Sequence, residues 1–218
     1  MNVAIDGPAG AGKSTIAKIC AKKLGLIYVD TGAMYRAVAL YLLESGVNVE
    51  NADIVSEKCT GAKVDIRYED GAQKVYLGDE DVTGRLREEA VGNAASVTSA
   101  VPKVRDHLLS LQRGLADRGG VVMDGRDIGT VVMPDADVKI FLTASSDVRA
   151  TRRVNELKEK GIEADFEEVK KDIEERDHRD MTREISPLKQ AEDAILVDTS
   201  DMTIDEVADK ICSLCNEG

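Results

Sequence analysis

The chain has 218 residues and a formal net charge of −12, long enough for one α/β domain with insertions and a sizeable core. So acidic a surface excludes duplex nucleic acid and anionic membrane as general partners, and any anion site must be a local concentration of Arg and Lys. No apolar run approaches membrane-spanning length and no leader-like segment precedes the first predicted strand, so a cytoplasmic location is expected.

Asn2–Asp6 reads as a short buried strand. It runs into Gly7-Pro8-Ala9-Gly10-Ala11-Gly12-Lys13-Ser14, and a helical pattern from Ser14 to Leu24 runs out. This is the phosphate-binding loop G-x-x-x-x-G-K-[ST] in the strand–loop–helix setting it requires. Its backbone N–H groups and the helix N-terminus can cradle phosphates. Lys13 can reach the β- and γ-phosphates, and the Ser14 hydroxyl can ligate Mg²⁺. ATP and Mg²⁺ are therefore the expected nucleotide and metal, held by Gly7 to Thr15.

Ile27-Tyr28-Val29 is a second strand, and Asp30-Thr31-Gly32 offers an N-cap for a helix to about Glu44, ended by Gly46. Residues 50–60 read as a short helix. The period then changes: Lys63 to Tyr68 and Gln73 to Leu77 alternate apolar and polar around the turn signal Glu69-Asp70-Gly71, an antiparallel hairpin. Glu88 to Ala116 is helical with a break near Pro102. Strands follow at Val121 to Asp124 and Val138 to Leu142, and helices at about Ser146 to Lys160 and Phe166 to Arg179. Ile195-Leu196-Val197 and an amphipathic helix from Thr203 to Cys215 close the chain.

Five parallel strands with helical crossovers make a doubly wound α/β sheet, with ligands at the carboxyl ends of its strands. The expected division is a core at about 1–57, 88–150 and 188–218, an inserted antiparallel β subdomain at about 58–87 and a helical lid at about 151–187. The hairpin and the lid are the parts expected to close over substrates. Cys212 and Cys215 form a C-x-x-C inside a helix, away from a strand-to-helix turn, so with Cys20 and Cys59 they read as ordinary packing residues. His107 and His178 read as surface residues.

The strand ends and charged segments carry the remaining chemistry. Asp124-Gly125-Arg126-Asp127 follows the third core strand, Arg36 follows the second, and Glu175 to Arg183 supplies several Arg. Arg pairs bidentately with phosphate oxygens and stays charged, so several around one phosphate would offset repulsion between donor and acceptor. Arg149, Arg152 and Arg153 read equally as helix surface or as flanks of the nucleotide. An alcohol acceptor would instead need a carboxylate base, for which Asp30 and Asp124 are the candidates. A guanine-reading N-K-x-D segment is missing, which argues against a regulatory GTPase. The lack of aromatic stacking residues argues against a nucleic-acid-dependent ATPase.

Taken together, GPAGAGKST, DTGAMYR, GNAAS followed by PKVR, DGRDIGTVV and ERDHRD-x-x-R resemble the bacterial cytidylate kinase family, in order, over nearly the whole chain. The hairpin resembles that family's enlarged nucleotide-binding subdomain. The resemblance implies transfer of phosphate from ATP to CMP or dCMP in pyrimidine nucleotide metabolism, in a monomer. It implies that Arg36, Arg126, Arg176 and Arg183 surround the acceptor and transferring phosphates, with Lys13. Thr31 would line the nucleoside site and Asp180 would accept from the sugar hydroxyls. Cytosine offers an N4 donor beside N3 and O2 acceptors, so Asp127 would accept from N4–H while Ser96 and Arg105 donate.

Overall fold

The structure is a computed structural model, and it describes residues 1–69 and 71–217. The backbone divides into two compact units, Met1–Tyr28 joined to Gly119–Gly218, and Val29–Arg118.

The first unit holds a five-stranded parallel sheet. Strand β1 (Val3–Asp6) leads through the phosphate loop into helix α1 (Lys13–Leu24), and β2 (Ile27–Asp30) begins after a Gly25 turn. The chain returns with β6 (Val121–Gly125), a π-helical turn (Ile128–Val132) and β7 (Val138–Thr143). Helices α6 (Ser146–Glu159) and α7 (Phe166–Thr182) precede β8 (Ile195–Asp198) and α8 (Ile204–Glu217). Strand order is β2-β6-β1-β7-β8, with β1 central and paired to β6 through Ile5 and Asp124 and to β7 through Ile5 and Ile140. The central strands β1 and β6 are short apolar runs buried along nearly their whole length, while the edge strands β2 and β8 leave Ile27, Ile195 and Leu196 exposed. On one face Val3, Ile5, Ile140 and Leu142 meet Ile16, Ala17 and Cys20 of α1 and Ala208, Ile211 and Cys212 of α8.

The second unit begins with the carboxyl half of β2 and α2 (Thr31–Glu44). The Asp30 carboxylate accepts from the Ala33 N–H at 2.9 Å, the N-cap expected there. Next come α3 (Ala52–Lys58), β3 (Val64–Glu69), β4 (Ala72–Leu77), β5 (Glu80–Asp81), α4 (Glu89–Thr98) and α5 (Pro102–Ala116). The hairpin pairs Val64 with Leu77 and Ile66 with Val75. Its turn residue Asp70 lies outside the described residues. The third strand, β5, is too short for the alternation to reveal. Pro102 takes the first position of α5, where its missing N–H costs nothing. Small side chains let α2 and α4 approach closely, Ala39 against Ala94 and Ala95.

Two expectations are corrected. Helix α7 runs three residues past Arg179, to Thr182, because no Gly or Pro interrupts it and the Thr182 hydroxyl donates back to the His178 carbonyl at 2.7 Å. His107 is half-buried rather than on the surface, with Nε2 2.8 Å from the Ala62 carbonyl oxygen, so that nitrogen carries the proton. The other reading held for His178, which is exposed, and for the four cysteines, which are free and buried.

Candidate active site

The loop from Gly7 to Gly12 follows β1 at the sheet's carboxyl edge. Gly7 has φ +151°, and a Cβ there would stand 2.0 Å from the Leu142 carbonyl oxygen, so only glycine lets the loop leave the sheet this close to β7. Lys13 is buried, and its Nζ donates to the Pro8 carbonyl at 2.7 Å, across the loop. Burial, with repulsion from Arg126 and Arg176, holds its ammonium well below the ordinary lysine value despite Asp124 and Asp6. Ser14 Oγ donates to an Asp124 oxygen at 2.9 Å, and the Tyr28 hydroxyl donates to the other at 2.8 Å. A hydroxyl and a carboxylate this close at the foot of a phosphate loop are hard oxygen donors of the kind Mg²⁺ prefers, so the residues fit that ion. Thr15 is exposed at the first turn of α1.

Above the loop, α7 brings the predicted Arg and Asp residues together. Asp180 takes Arg126 Nε at 2.9 Å, and Arg183 Nη1 lies 3.7 Å from its other oxygen. Burial pushes the Asp180 carboxyl up, but Arg126, Arg176 and Arg183 outweigh it and hold it below the usual carboxylate value. Arg183 is further fixed by donating from Nε to the Ser186 carbonyl at 2.7 Å. Arg126, Arg176, Asp180, Arg183 and Lys13 thus lie in one electrostatic cluster within the first unit. Asp127, 5 % exposed, sits between β6 and the π-helical turn, and its carbonyl accepts from Val131 and Val132.

The second unit carries the remaining predicted residues. Thr31 is buried at the start of α2, and Arg36 is half-buried one turn on. A Cβ on Gly32 would stand 3.2 Å from Arg36 Nη1, so that guanidinium lies over the first turn of its own helix. The guanidinium of Arg105 stands 5.2 Å from the Tyr35 ring centroid and donates to the Ser99 carbonyl at 3.1 Å. The Ser96 hydroxyl is buried without a hydrogen-bond partner among the described residues, a cost that a bound polar group would remove. Asp30 is engaged with the Ala33 N–H and with Arg87, as Asp124 is with Ser14 and Tyr28, so neither carboxylate stands ready as a base for an alcohol.

A cytidylate kinase family profile matches residues 3–217. The chain belongs to the cytidylate kinase family. It is 50% identical over 214 residues to a cytidylate kinase of Caldicellulosiruptor saccharolyticus, covering 98% of this chain and 95% of that protein. It is 51% identical over 212 residues to one of Streptococcus pneumoniae, covering 97% of this chain and 95% of that protein. A solved structure of an uncharacterized protein from Eubacterium ventriosum covers 100% of this chain and 99% of its own at TM-score 0.53 and 12% identity, a likeness of fold alone.

Of three further residues of this cytidylate kinase family member, Asp177 and Asp6 were given no role by the sequence reading and Arg149 was left open. Arg149, open there between surface and nucleotide, is buried: Nη1 donates to the Ala9 carbonyl at 2.8 Å and pairs with Asp177 at 2.6 Å. Asp177 accepts the Ala9 N–H at 3.2 Å, so one ion pair grips both sides of the loop's apical residue. Arg152 ties α6 to Thr199, and Arg153 is exposed and pairs with Glu156. The third is Asp6, whose oxygens accept the Ile128 and Gly129 N–H groups at 2.8 and 2.7 Å. The buried position of Asp6 at the end of an apolar strand was its only sequence signal.

Proposed function

We propose that the chain transfers the γ-phosphoryl group of ATP directly and in line to CMP and dCMP, yielding ADP and CDP or dCDP. The carrying observation is the Arg126–Arg176–Arg183 cluster around Asp180, electrostatically coupled to Lys13 of the phosphate loop, in a chain of the cytidylate kinase family. The acceptor is a phosphate monoester with a second pKa of about 6. It is mostly a dianion at neutral pH and needs no general base. Gly7 to Thr15 hold the ATP phosphates, and Lys13 meets the charge developing between donor and acceptor. Ser14, with Asp124 beside it, would hold Mg²⁺, which would supply further neutralisation of phosphate charge.

Arg36, Arg126, Arg176 and Arg183 take the acceptor and transferring phosphates, Thr31 the nucleoside and Asp180 the sugar hydroxyls. Asp127, Ser96 and Arg105 read cytosine, and the unpartnered Ser96 hydroxyl supports that role. Uracil would turn a carbonyl toward Asp127 and leave it repelled, a polar mismatch that discriminates strongly. We take 58–87 as the acceptor subdomain and 151–187 as the lid of a cytoplasmic monomer. The test is a coupled ADP-release assay with ATP, Mg²⁺ and each of CMP, dCMP, UMP, AMP, GMP and shikimate. Turnover confined to CMP and dCMP is expected; turnover only with an alcohol overturns the reading.

A further inference from the structure

Asp6 ends β1, one residue before the phosphate loop, and is 5 % exposed. Its oxygens take the N–H groups of Ile128 and Gly129, the two residues that follow Asp127. Asp127 has φ −142° and ψ 26°, neither helix nor strand, so no repetitive backbone ladder orients it. Its own carbonyl accepts from Val131 at 2.9 Å and Val132 at 3.3 Å. The peptide planes just beyond Asp127 are therefore held by a bidentate carboxylate on one side and the π-helical turn on the other. Gly129 permits the close approach: a Cβ there would stand 3.2 Å from Lys139 Cδ and 3.4 Å from Asp6 Oδ2.

Such a buried carboxylate is expensive. Burial pushes it up to about 6, against the downward pull of the Gly129 and Ile128 N–H groups, and Asp127 adds repulsion that Lys13 offsets. An apolar strand end would avoid the cost, so the carboxylate has a use beyond packing.

We propose that Asp6 is a positioning residue for base selection: by holding the Ile128 and Gly129 N–H groups it aims the Asp127 carboxylate, linking the root of the phosphate loop to the reader of the acceptor base. This rests on Asp127 as the cytosine reader. Asn at position 6 keeps the shape but offers one acceptor oxygen and turns an amide donor toward the second N–H.

The experiment measures steady-state kinetics with CMP and UMP for the full-length wild type and for Asp6→Asn, Asp127→Asn and the double variant. Expected for Asp6→Asn is a CMP-to-UMP ratio of kcat/KM narrowed about tenfold, the effect of one lost charge-assisted hydrogen bond, with KM for ATP within about twofold of wild type. The double variant should discriminate no less than Asp127→Asn alone, because a residue acting through another adds nothing once that one is gone. An unchanged ratio in Asp6→Asn, or effects that multiply in the double variant, overturns the inference. So does a parallel loss of ATP and CMP affinity with the ratio kept. Wild-type protein inactive on CMP refutes the proposed function itself, before any variant is compared.

Discussion

Asp6→Asn should gain stability relative to wild type as pH rises from 4 to 7. Burial pushes the carboxyl up to about 6 in the folded chain, against 3.8 for an unperturbed aspartate. Below about pH 4 both forms are protonated and the difference has no effect on stability. Between about pH 4 and 6 the folded chain binds the extra proton, so stability falls as pH rises through that window. Above it the full cost is present: 1.36 kcal/mol for each pH unit separating the two values, about 3 kcal/mol in all. Asn does not titrate, but its amide nitrogen cannot accept the second N–H, which the hydroxyl oxygen of the protonated acid still can. Lys13 and Asp127, the charged groups that act on Asp6, are common to both proteins, as are all other carboxylates, so their contributions cancel to first order. Near pH 4 the variant should therefore lie below wild type by the cost of one unsatisfied buried N–H, about 1–3 kcal/mol, and between there and pH 7 it should gain on wild type by about 3 kcal/mol. In thermal melts of a chain this size that gain is a relative shift of about 6–12 °C between those pH values. Parallel melting profiles for the two proteins from pH 4 to 8 would refute the assignment of Asp6 as a costly buried charge.

Three further outcomes follow from the geometry. Lys13→Met should lower kcat by roughly 10²–10³, as loss of one charge-stabilising donor does, in a variant still folded by circular dichroism; near-wild-type turnover would remove Lys13 from the transition state. Arg149→Met should cost about 3 kcal/mol or more in denaturant unfolding, because Asp177 is left buried and uncompensated, and KM for ATP should rise as Ala9 loses its grip. Retained stability would show that the Arg149–Asp177 pair is dispensable. Asp127→Asn should narrow the CMP-to-UMP preference in steady-state kinetics, and an unchanged ratio would rule out Asp127 as the base reader.

What was legible in the sequence is what local chemistry encodes. The Gly7–Ser14 loop, the Asp30 cap and the Pro102 break each depend on neighbours within a few residues, and each appears where expected. The Arg and Asp residues of α7 were legible as a group only through their family pattern, since a charged helix face by itself reads as solvated surface. Asp6, Arg149 and Asp177 were not legible in role. Asp6 meets residues 122 and 123 positions away, and Arg149 meets Ala9 140 positions away. No spacing rule connects such pairs; only the sheet order, which places β6 and β7 on either side of β1, brings them together.

Helix α7 spaces its contacts by winding. Arg176, Asp180 and Arg183 recur at the helical interval of three and four residues, and Asp177 reaches Ala9 from the adjoining position. Inserting or deleting one residue anywhere between Asp177 and Arg183 would rotate the far half by about 100° and lift its side chains from the cluster. The stretch between α6 and α7, residues 160–165, is under no such constraint, because both helices can keep their phase while the connection changes length. Length variation among relatives should therefore gather in that connection and be missing from the six residues that follow Asp177 on the helix and its cap.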